Sequence, residues 1–79
     1  MIDVNLLEKL MCERAEIKAE IKVQTTIFEF AKANADRCKD ERSFMEMQAW
    51  MDVMRNVCDK LSELAIKYDK LVKQIKEET

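Results

Sequence analysis

The chain has 79 residues, 14 basic and 16 acidic groups for a net charge of −2, and no glycine, proline or histidine. Folds rich in tight turns, glycine-rich phosphate loops and dinucleotide fingerprints depend on glycine, so they are excluded. Without histidine, Ser-His and Cys-His catalysis and histidine metal sites are excluded as well. What remains is a helix-rich chain of one domain, 1–79.

The first predicted helix spans about residues 5–35. Asn5 and Glu8 can cap its start ahead of Leu6, Leu7, Leu10 and Met11. Its apolar stripe continues through Ile17, Ile21, Phe28, Ala31 and Ala35, and Arg14 and Gln24 fall on the same stripe. Past residue 22 a second apolar column appears at Val23, Ile27 and Phe30. The segment from Ile21 to Ile27 is rich in β-branched residues and alternates in polarity, which weakens helix propensity. Thr26 with Glu29 matches a capping box there, so a break near 24–26 stands beside a continuous helix.

A turn is expected over about 36–43, where Asn34, Asp36, Asp40 and Ser43 cluster. Such side chains hydrogen-bond nearby backbone and support a turn without glycine or proline. Short helix–helix connections make antiparallel neighbours, so the fold class is all-α, an antiparallel helical hairpin.

The second helix, about 44–77, gives the clearest signal. Met47, Trp50, Met54, Val57, Leu61, Leu64, Tyr68, Leu71 and Ile75 repeat at spacings of three and four. With Met47 as heptad position a, the e positions Met51, Cys58, Ala65 and Val72 are also apolar. A two-stranded coiled coil needs only a and d, so the added column is the wider stripe of a bundle helix. Ser43 and Glu46 form a capping box at its start, and Glu63–Lys67 and Asp69–Lys73 are helix-stabilising i,i+4 pairs.

Two helices touching along one line leave part of each stripe wet. The e column of the second helix and the Val23, Ile27, Phe30 column of the first would face water. Exposed apolar surface of that extent marks an interface. The simplest closure is a homodimer forming an antiparallel four-helix bundle; docking the helix of another protein is the alternative.

The most suggestive cluster is Phe44, Met45, Met47, Trp50, Met51 and Met54, which holds four of the six methionines. In an antiparallel hairpin it faces Ile27, Phe28, Phe30 and Ala31. Met and Trp suit adaptable protein-binding surfaces, and Met equally fills irregular cores. Both readings stand, and the candidate protein-binding residues are Phe44, Met47, Trp50, Met51, Met54, Ile27 and Phe30.

Other motifs carry less chemistry. Glu13 and Glu16 resemble the E-x-x-E half of the metal site in MazG-type nucleotide pyrophosphohydrolases, but no E-x-x-D follows downstream. Glu13, Glu16 and Glu20 share a helical face and read as solvated charge. A chorismate-mutase-like helical enzyme needs several cations around one cavity, and Arg14 is the only cation on the predicted seam. Lys60, Lys67, Lys70, Lys73 and Lys76 would give a ROP-like bundle a face for RNA, interrupted by Glu63, Asp69, Glu77 and Glu78. Cys38, between Arg37 and Lys39 in the expected turn, is a candidate exposed thiol, whereas Cys12 and Cys58 are expected to pack as small hydrophobes.

Widely spaced cysteines without C-x-x-C, an acidic rather than basic start and no long apolar run point to a reducing, cytoplasmic setting. No cofactor, metal or membrane is expected, and nucleic acid is disfavoured by the near-neutral charge. The function read from the sequence is therefore a non-enzymatic protein-interaction module: an adaptor, chaperone-like subunit or inhibitor. The alternatives are a ROP-like RNA-binding bundle and a small all-helical enzyme.

Overall fold

A computed structural model describes residues 3–79. Two helices account for nearly all of them, α1 from Val4 to Asp40 and α2 from Phe44 to Glu78. Helices of 37 and 35 residues joined by three fit within a body 62 Å long only by doubling back. At 1.5 Å per residue each helix alone covers more than 50 Å. The result is an antiparallel hairpin, as the short connection predicts.

α1 starts on a different cap from the one expected. Asp3 is extended, and its Oδ1 accepts a hydrogen bond from the Leu6 backbone N–H at 3.1 Å. This satisfies one of the four orphan donors of the first turn, so Asn5 already lies inside the helix. The helix then runs through the β-branched segment without a break. Thr25 Oγ1 donates to the Ile21 carbonyl at 2.8 Å and Thr26 Oγ1 to the Lys22 carbonyl at 2.9 Å. Each hydroxyl is satisfied one turn back, so Thr26 caps nothing and the helix has no need to restart.

α1 also extends five residues beyond its expected end. Asn34, read as a turn former, donates from Nδ2 to the Phe30 carbonyl at 2.8 Å within the helix. The reversal is left to Glu41, Arg42 and Ser43. The Arg42 N–H donates to the Lys39 carbonyl at 3.2 Å, and the Ser43 N–H to the Cys38 carbonyl at 2.8 Å. These paired bonds form a Schellman motif, whose C′ residue takes the left-handed conformation. Glycine normally serves there; here Arg42 does, with φ 60°.

α2 begins at Ser43 without a side-chain capping bond. The expected capping box is absent, and the Ser43 N–H that Glu46 would accept is bonded to the Cys38 carbonyl instead. Glu46 Oε1 lies 3.5 Å from Arg37 Nη2 on α1, tying the two helices at the turn. Among the described residues the other ion pair within 4 Å is Arg55–Asp52. The Glu63–Lys67 and Asp69–Lys73 pairs are not closed to that distance.

The core lies along the contact between the helices. Leu10, Ala31, Ala35 and Cys38 of α1 are buried against Val57, Leu64 and Leu71 of α2. Met47, Trp50, Met54, Leu61, Tyr68 and Ile75 are half-buried on the same stripe. Extending the three-four spacing along α1 gives a matching stripe: Leu7, Leu10, Arg14, Ile17, Ile21, Gln24, Phe28, Ala31, Ala35 and Cys38. None of these ten is exposed, and Gln24 on the stripe donates from Nε2 to Glu20 Oε1 at 3.1 Å.

This core is thin. The accessible surface is 6239 Å², whereas a compact monomer of 9.3 kDa exposes about 5,000 Å². The radius of gyration is 17.8 Å, against about 12 Å for a compact domain of this length. Among the described residues, no helix is long and apolar enough to cross a membrane.

Candidate interaction surface around the turn end

The seam stripes define two opposite flanks of the hairpin. In an antiparallel pair the g positions of both helices border one side of the seam and the e positions the other. Three observations place the g flank. Arg37 pairs with Glu46 across it, and Phe30 meets Trp50 edge-to-face at a centroid distance of 5.6 Å. Farther from the turn, Glu13 on α1 and Lys67 and Gln74 on α2 line one open groove of about 300 Å³.

On this g flank the half nearer the turn is apolar. Val23, Ile27 and Phe30 are exposed by 52%, 38% and 61%, and Val53 lies beside them on α2. Val23 and Ile27, with Lys22 and Thr26, also line a second open groove of about 300 Å³. The half nearer the chain ends is charged. There Glu13, Glu16 and Glu20 stand on α1, and Lys60, Lys67 and Lys70 on α2, with Glu63 among the lysines.

The e flank carries the other surplus column. Phe44, Met51, Cys58 and Ala65 are exposed and Val72 is half-buried, all on α2. Beside them α1 presents Met11, Lys18, Thr25 and Lys32. The two apolar columns read from the sequence are therefore both open, as a single hairpin requires, but they point to opposite sides.

The seven candidate residues accordingly do not form one patch. Met47, Trp50 and Met54 sit on the seam, half-buried. Ile27 and Phe30 lie on the g flank, and Phe44 and Met51 on the e flank. They share the turn end rather than a face. Trp50 joins the seam to the g flank, because its outer edge carries the exposed Phe30 ring. Edge-to-face pairs of this kind contribute about 0.5–1.5 kcal/mol beyond the area they cover.

The turn end is open for a packing reason. Its α1 stripe is Ala31, Ala35 and Cys38, all small and buried. The small α1 side chains cover little of the larger α2 side chains opposite them. Trp50, Met47 and Met54 are left half covered, and Phe30 lies outside on top. Met45, 91% exposed, points straight away from the seam.

The cysteines are arranged oppositely to the expectation. Cys38 is fully buried, while Cys12 and Cys58 are exposed. The cause is the longer α1, which carries Cys38 onto the stripe seven residues after Ala31. Cys12 falls on the back of α1 and Cys58 on the e flank. Continuing the spacing from Ala31 through Ala35 would have placed Cys38 in the core.

Spacing along the seam also passed over Ile66, which is 58% exposed on the outer side of α2. Among the described residues, no group of three or more acidic or cysteine side chains is placed to hold a metal ion. Lys60, Lys67 and Lys70 share their flank with the Glu13, Glu16, Glu20 row, so the charge on that side is mixed.

No known family's model matches the chain, and no curated protein or solved structure is found similar to it.

Proposed function

We propose that the chain is a non-enzymatic protein-interaction module whose hairpin completes its core by association, first with a second copy in a four-helix bundle. The observation that carries this reading is the exposed apolar surface at the turn end. Phe30, Phe44 and Met45 are 61%, 60% and 91% exposed on a body that already shows more surface than a compact monomer of its mass. Large apolar side chains left open on both flanks of one end favour docking there. Two flanks on opposite sides also suit an adaptor, since pairing through one leaves the other free for a different protein. The long column Phe44, Met51, Cys58, Ala65 and Val72 is shaped to lie along the apolar face of another helix.

The test is a double substitution that touches both flanks without entering the seam, Ile27→Ser with Met51→Ser. Both positions are exposed, so helical circular dichroism should persist. Light scattering should then report a smaller assembly than for the unchanged chain. An unchanged assembly with unchanged helicity would contradict the reading.

A further inference from the structure

Opposite charges on the g flank are largely separated by helix, with Glu63 the acidic exception on α2. Glu13, Glu16 and Glu20 belong to α1, and Lys60, Lys67 and Lys70 belong to α2. They occupy the same stretch of the hairpin, since Glu13, Lys67 and Lys70 line one groove. Yet none of them closes an ion pair within 4 Å inside the hairpin, whereas Arg37 and Glu46 on the same flank do. The groove walls thus carry facing rows of opposite charge that are not closed into ion pairs within the hairpin.

A two-fold axis decides what these rows meet in a dimer. An axis parallel to the helices lays α1 of one copy over α2 of the other, at the same height, with both turns at one end. An axis across the helices lays α1 over α1 and puts the turns at opposite ends. Only the first brings each glutamate row over a lysine row, and the symmetry makes that contact twice. It also brings Phe30 of each copy over the Val53 region of the other, so apolar meets apolar at the turn end.

We infer that the g flank is the homodimer interface and that the two hairpins pair with their turns at the same end, α1 of each copy lying over α2 of the other. This rests on the self-association proposed above and specifies its face and direction. The opposite orientation lays the charged half of each copy over the apolar Val23, Ile27 and Phe30 half of the other, so the charges are desolvated without opposite partners and that arrangement is disfavoured. The e flank stays outside the dimer.

The experiment uses two full-length variants, Glu16→Lys and Lys67→Glu, one of them labelled with ¹⁵N. Both positions are exposed, so the fold is retained, as circular dichroism would verify. In the inferred dimer each variant alone sets like charges against each other twice, and its own dimer weakens. Mixed, the two variants restore opposite charges at both contacts. Native mass spectrometry should then show the mixed dimer well above its statistical share of one half. A statistical mixture of dimers would overturn the inferred face and direction while leaving self-association standing. If the unchanged chain remains monomeric at tens of micromolar, both the inference and the proposed self-association fall.

Discussion

The hairpin's two ends solve the same packing problem differently. Toward the chain ends, Leu10 of α1 and Leu64 and Leu71 of α2 place large side chains in the seam, and the g flank is charged. At the turn, α1 contributes Ala31, Ala35 and Cys38, and the bulk comes from Met47, Trp50 and Met54 of α2. Leu10, Leu64 and Leu71 are buried at one end, with Ile17, Leu61 and Tyr68 half-buried beside them. At the other, alanine opposite tryptophan and methionine leaves the large side chains partly uncovered. The ends differ most outside the seam, where the large exposed apolar side chains Val23, Ile27, Phe30, Phe44, Met45 and Met51 gather toward the turn.

Substitutions at the two ends can break this contrast. The largest effect belongs to Leu64→Ala, which removes a buried large side chain and should cost about 2–5 kcal/mol in a denaturant titration. Phe44→Ala at the turn end removes a larger but exposed side chain. It should change the stability of the isolated hairpin by less than about 0.5 kcal/mol. Equal costs at the two positions would show that the turn end is as closed as the other.

Overpacking probes the same contrast in reverse. Ala31 is fully buried in the seam, so Ala31→Leu should destabilise by about 1–3 kcal/mol despite its added apolar area. A neutral or stabilising result would mean that space remains under Trp50.

An effect smaller than either core substitution lies in the turn. Arg42 holds φ 60°, and a left-handed conformation costs an ordinary residue about 1 kcal/mol more than glycine. Arg42→Gly should therefore raise stability by up to about that amount, net of the flexibility glycine adds to the unfolded chain. Thermal denaturation would measure it, and a fall in the midpoint would contradict the left-handed cap.

Much of this fold is legible in the sequence, and unevenly so. α2 reads cleanly because its three-four spacing is unbroken from Met47 to Ile75 and its polar residues keep to the other side. α1 reads less well because its apolar residues are spread around the axis, with Val23, Ile27 and Phe30 off the seam. Its end was misplaced because Asn34, Asp36 and Asp40 are turn formers by type. In place, Asn34 bonds one turn back, and a Schellman motif on Arg42 makes the reversal without any residue that announces it. The candidate site was legible as a cluster along the chain but not as a surface. Whether a residue faces the g or e flank depends on the register of both helices together, and that split Ile27 and Phe30 from Phe44 and Met51.

The proposed pairing would close the thin core that a single hairpin leaves. Sedimentation equilibrium of the unmodified chain across the micromolar range tests it most directly. Pairing gives a mass of twice the 9.3 kDa chain, falling toward one chain only on dilution. A folded, fully helical monomer at every concentration would contradict it.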